Sequence, residues 1–178
     1  GWGAVEELGA GATVLTADGT AETVRWVGIS EHARAAAAHP ALTPVLIRQD
    51  AFAEAVPCRD LRVSPNHGVL VDGVLAQAGA LVNGSSILRD LPETATLRYY
   101  HVELGRHALL LAEDLPAESF IDNVDRSSFD NWADRPAAEP VAEMALPRAK
   151  AARQVPLAAQ NRLAARGEAL YGRAVAAA

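Results

Sequence analysis

An all-β body followed by an Ala-rich tail with a helical stretch is the fold class the sequence predicts. Three observations support it. Short β-favouring runs recur with Asp-Gly, Asn-Gly, Gly and Pro punctuation between them. Residues Leu97 to Leu104 alternate, with Tyr100, Val102 and Leu104 on one face and Tyr99, His101 and Glu103 on the other. After about residue 130 the composition shifts into an Ala- and Pro-rich stretch.

In chain order, Thr13 to Thr16 favours strand, Asp18-Gly19 marks a turn, and Thr23 to Val27 favours strand again. Ser30 to His39 is Ala-rich and predicts a short helix stopped by Pro40. Val45-Leu46-Ile47 opens another extended run. Leu61 to Ser64 is a strand end, and Gly68 to Leu75 is a hairpin around Asp72-Gly73. Asn83-Gly84 is a further turn signal. Gly105-Arg106 would turn the alternating strand into His107 to Leu111, bringing His101 and His107 near each other across a hairpin.

Pro136, Pro140, Pro147 and Pro156 interrupt the Ala-rich stretch, so the expected organisation is a body over 1–130, a linker over 131–156 and a helix over 157–178. On that helix Leu163, Leu170, Tyr171, Ala174 and Val175 share a face. Gly167 weakens it by about 1 kcal/mol relative to Ala. Packing on its own body, or fraying in solvent, is preferred to binding a partner.

Half of the residues are hydrophobic, but 38 of those 89 are Ala, so Leu (20) and Val (16) dominate the 51 that remain to build a core. That suffices for one core of about 130 residues. No apolar run approaches the ~18 residues of a membrane span. Residues 1–135 have a net charge of −9 and the remainder +3. The body would repel phosphate backbones, which argues against nucleic-acid binding. A single cysteine, Cys58, excludes an internal disulfide and thiolate metal clusters. The compartment stays open between cytoplasm and a secreted or cell-surface location.

The first candidate site is Ser64-Pro65-Asn66-His67. Pro65 fixes its own φ and pushes Ser64 towards extended geometry, which delivers His67 just past a tight corner. The hydroxyl can bind or polarise a peptide bond, and the imidazole can donate a proton to the nitrogen that leaves. The plainer alternative is a Ser-Pro turn whose His bonds locally. His101 and His107 form the second candidate, and with His67 they could hold zinc or, more plainly, cap strand ends. No spacing specific for a metal is present, so neither metal nor cofactor is called for. Cys58 beside Arg59 is conceivable as a nucleophile, though a half-buried small residue fits better. Glu113-Asp114 fits solvated acidic surface. There is no Gly-rich phosphate loop and no Gly-x-Ser-x-Gly elbow.

As an ordered set, Ala4 to Leu8, Gly11 to Gly19, Val24 to Gly28, Arg59 to Gly73, Leu81 to Gly84, Tyr100 to Leu104, His107 to Glu113 and Pro116 to Phe120 resemble a bacterial Hedgehog/intein (Hint) domain. The resemblance spans roughly residues 1 to 125. It implies a horseshoe of short strands with pseudo-twofold symmetry and self-processing of a peptide bond. In that family an initial Cys attacks the preceding carbonyl and converts an amide into a thioester. The resemblance implies that His67 is the proton donor to the departing amine and that Ser64 orients the scissile amide. His101 and His107 would assist the acyl shift or later thioester cleavage. The substrate would be the protein's own upstream polypeptide.

Three departures from the family pattern bear on activity. The Cys-bearing strand would lie ahead of Gly1, so the domain is expected to be truncated at its start and inert as given. Gly11-Ala12 stands where Gly-Asp is usual, and no His-Asn pair followed by a nucleophile closes the domain. Cleavage rather than full splicing is therefore expected. The rival expectation is a non-enzymatic structural or interaction module of a secreted bacterial protein.

Overall fold

Strands β1 (Thr13–Leu15) and β2 (Ala21–Thr23) pair antiparallel around the expected Asp18-Gly19 turn. The Thr16 hydroxyl and the Thr20 amide donate to Asp18 Oδ1 at 2.6 and 3.0 Å. Those bonds, that of Thr16 foremost, hold the carboxyl well below the usual carboxylate range. This computed structural model describes residues 2–121, 128–137 and 140–172.

Strand β3 (Trp26–Ala33) runs into a single helical turn, α1 (Arg34–Ala37). The helix expected over 30–39 is thus confined to its middle. Ser30 to Ala33 instead face Tyr99 to Thr96, because a fixed ladder partner outweighs the weak preference of a few alanines. β4 (Val45–Ile47) lies between β5 (Leu61–Val63) and a later strand, and all three of its residues are buried. Burial on both faces explains why it reads as an unbroken apolar run.

β6 (Gly68–Val71) and β7 (Val74–Gln77) form the hairpin signalled by Asp72-Gly73, whose φ values of 47° and 76° are the left-handed pair that a two-residue turn requires. β8 (Ile87–Arg89) completes the three-stranded sheet, and β9 (Thr96–Glu103) pairs with β3 from Trp26↔Glu103 to Ala33↔Thr96. β10 (Leu109–Ala112) and β11 (Leu115–Glu118) form another hairpin. Its turn is Glu113-Asp114, with φ of 50° and 66°. The pair expected as solvated surface is therefore a hairpin turn built without glycine. β12 (Arg148–Ala149) adds to β7 in parallel, giving a five-stranded sheet of order β10-β11-β6-β7-β12.

The β9 to β10 connection corrects one expectation. β9 pairs with β3 and β10 with β11, so His101 and His107 do not face each other across a hairpin.

One buried cluster joins the five-stranded and three-stranded sheets through Val45, Ile47, Val69, Ala76, Ile87 and Leu115. A second lies around Val24, Val102 and Leu104, with Leu8, Val14 and Tyr100 packed against it. Helix α2 (Leu157–Tyr171) docks on the first cluster through Ala159 and Leu163. Leu170 and Tyr171, expected on the packed face, are 49% and 38% exposed. Ala174 and Val175 lie outside the described residues. The packed face is Ala159, Leu163 and Gly167, one residue per turn. A Cβ at Gly167 would strike Ser85 Oγ and fall 2.7 Å from Ser86 Oγ. The glycine that weakens the helix locally is the one that lets it approach the body. Among the described residues no helix is long and apolar enough to cross a membrane.

Candidate functional site

The Ser64 to His67 bend joins β5 to β6. The His67 amide donates to the Ser64 carbonyl at 3.1 Å, closing the turn. The Ala78 and Gly79 amides donate to the His67 and Pro65 carbonyls, both at 2.9 Å. Those bonds pin the bend to the 3-10 turn Ala78–Leu81. Pro65 is buried, whereas Ser64 and His67 are half-buried. The backbone of the corner that carries these two chemically able side chains is thus fixed.

Glu118 ends β11 directly beside this corner. Its Oε1 accepts from the Gly68 amide at 2.8 Å, and its Oε2 accepts from Arg148 Nη2 at 2.9 Å. A Cβ at Gly68 would fall 2.6 Å from Glu118 Oε1 and 2.9 Å from Leu75 Cγ, so only glycine leaves room for the carboxylate here. Burial alone would raise the Glu118 carboxyl. The contacts from His107 and Arg148 outweigh it and hold the group down at about 2. At neutral pH the site therefore holds a fixed anion.

His67 feels that anion. Burial pushes its imidazole below the usual histidine range, and the Glu118 carboxylate and backbone pull in the opposite direction. His101 is pushed down to about 4, first by burial and then by His67. Its ring meets Phe129 and Phe120 edge-on, with centroids 5.0 and 6.0 Å away. Trp26 and Trp132 extend that aromatic wall. On the same face of β9, Glu103 takes a buried, two-pronged ion pair from Arg135 at 2.6 and 3.1 Å. His101 is thus a neutral imidazole near His67.

His107 is placed differently. It is buried, and its Nδ1 accepts from the Met144 amide at 3.0 Å. The ring proton must then sit on Nε2, which lies 3.5 Å from Glu118 Oε2. That distance is long for a hydrogen bond, so ring and carboxylate interact mainly through charge and dipole. With Nδ1 bonded and Nε2 protonated, His107 has no free nitrogen for a metal. This overturns the zinc set of His67, His101 and His107. Among the described residues no three His, Cys, Asp or Glu side chains are grouped to hold a metal ion.

Of the four predicted side chains, His67 and His101 therefore share one site, His107 touches it through Glu118, and Ser64 stands at the start of the same bend. Cys58 lies elsewhere, with its Sγ 3.4 Å from Glu113 Oε2. Burial and then Glu113 raise the thiol, while Arg59 is drawn to the same carboxylate and does not activate it. Sequence reasoning missed Glu118 as a site residue. Its signal was the glycine that opens the strand after His67, because a strand starting on glycine admits a close neighbour. Arg148 and the Met144 amide gave no local signal, since they reach the site from 30 or more residues along the chain.

A family model described as Hint domain matches residues 1–124, well over half of the chain. No match is found among curated proteins or among solved structures.

Proposed function

Because the chain belongs to the Hint domain family, we propose that it is an autoprocessing module that cuts the peptide bond at its own amino-terminal junction by an N-to-S acyl shift. The observation that supports this most is the Glu118 carboxylate bonded to the Gly68 amide that follows His67, on a rigid bend whose imidazole feels that charge, with His101 beside it. An amide is a poor electrophile with a poor leaving group, and two proton transfers address those two defects.

The reading requires a Cys ahead of Gly1. Its sulfur attacks the preceding carbonyl carbon as the neutral His101 accepts the thiol proton. The C–S bond forms, the C–N bond breaks, and protonated His67 gives its proton to the departing nitrogen. Burial makes that imidazolium a stronger acid than free histidine, and Glu118 keeps it accessible. Ser64 orients the amide. His107 acts only through Glu118. The thioester then passes its acyl group to water or another nucleophile. The upstream polypeptide is the substrate, and no metal is needed.

A chain extended ahead of Gly1 by a Cys-bearing segment is incubated with a thiol and weighed by mass spectrometry. Two fragments cut just before the initial Cys are expected. Intact chain alone would contradict processing and favour a non-enzymatic module, the reading to which Ala12, in place of a turn carboxylate, already points.

A further inference from the structure

The family match ends at residue 124, yet two contacts to the centre of the site come from beyond it. Arg148 Nη2 donates to Glu118 Oε2 at 2.9 Å, and the Met144 amide donates to His107 Nδ1 at 3.0 Å. Neither contact is a loose surface encounter. Arg148 belongs to β12, which is in register with β7 (Arg148↔Leu75, Ala149↔Ala76), and Ala149 is fully buried. The Leu75 amide donates to the Pro147 carbonyl at 2.8 Å. Arg148 Nε is also paired with Glu143, so the guanidinium is held from both sides.

We propose that Arg148 is a positioning residue of the processing site, which makes the segment after the family match a working part of that site rather than an appendage. It acts through Glu118. One carboxylate serves four groups: the Gly68 amide, Arg148, His107 and, through its charge, His67. Arg148 fixes where the carboxylate points and neutralises part of its charge, and His67 feels the remainder. The charged and titratable groups facing His67 are Glu118 and His101. Behind Glu118 stand His107 and Arg148, and behind Arg148 stands Glu143. The inference rests on the processing reading for its meaning but not for its test.

The test is the titration midpoint of the His67 imidazole, followed by NMR in the whole chain. Arg148→Met leaves Glu118 as a buried anion with one cation fewer, and the neighbouring imidazole gains a proton more readily. The His67 midpoint rises by about half a unit or more. Arg148→Lys retains the charge and returns the midpoint towards wild type. Glu118→Gln removes the anion and lowers the midpoint, and in that background Arg148→Met no longer moves it. A merely structural ion pair would change stability and leave the midpoint where it is.

Should R148M fail to fold, R148Q makes the same comparison with a side chain that still donates hydrogen bonds. An unmoved midpoint in R148M or R148Q, or an equal shift with and without Glu118, overturns the proposal. Cleavage of the extended chain by the same variants separates the two ideas. A Glu118-dependent shift in a chain that never cleaves upholds the positioning role and removes the processing reading. Cleavage that R148M leaves untouched, with an unmoved midpoint, does the reverse.

Discussion

Asn83 and Glu118 each sit at the centre of a polar cluster, and each ties a later segment of chain to the strands. Asn83 Oδ1 accepts from the Ser85, Ser86 and Ile87 amides at 3.0, 3.1 and 3.0 Å, and Nδ2 donates to Ser86 Oγ and to the Leu163 carbonyl of α2. Those partners are neutral and close, so the amide has no capacity left. Glu118 is charged, is approached by two imidazoles, and meets one of them at 3.5 Å. A saturated neutral hub is a fastener. A charged hub with loosely held titratable neighbours can change its protonation and still hold the chain, which is what proton-transfer chemistry requires.

The comparison breaks if Asn83 proves dispensable. Asn83→Ala strips the corner and the α2 contact together, and urea unfolding should show a loss of about 3 kcal/mol with no change in the His67 titration. Glu118 and His101 should show the opposite character, a dependence on pH. His101 is held below its usual value, so the unfolded chain takes up the proton first, and stability is lost as pH falls from about 6.5 towards 4. Glu118 adds a loss in the same direction between about 4.5 and 2. The His101 share of the upper window should cost about 3 kcal/mol. His101→Phe should reduce the loss in that window and leave the part that the depressed His67 contributes, as read by thermal melts across that range.

Gly167→Ala gives a smaller effect with an unusual sign. Alanine normally stabilises a helix interior, but here the new Cβ strikes Ser85 and Ser86, and a loss of about 1–2 kcal/mol is expected in the same urea assay. Cys58→Ala should be nearly silent, within about 0.5 kcal/mol in stability and without effect on processing, because the thiol is raised and stands apart from His67.

Local chemistry made much of this legible. Asp18-Gly19 and Asp72-Gly73 are turns because their residue types permit the required φ, and the Leu97 to Leu104 alternation survives as β9 because each of its faces packs on a different cluster. The Ser-Pro corner fixed His67 from four adjacent residues. What was not legible depends on distant partners. Ser30 to Ala33 became strand because of residues more than 60 positions away, and Glu113-Asp114 took a turn usually marked by glycine. His107 looked like a partner for His101 until the strand pairing separated them, and Glu118 gained its role only when Gly68, His107 and Arg148 were brought around it.

The measurement that bears most directly on the account compares the extended chain with its His67→Ala variant, both folded, by the rate at which the two fragments appear in the mass spectrum. Removal of the proton donor should slow their appearance by about a hundredfold or more while thermal stability changes little. Equal rates in the two proteins would mean that the imidazole at position 67 does not serve the departing nitrogen, and the proposed mechanism would be wrong.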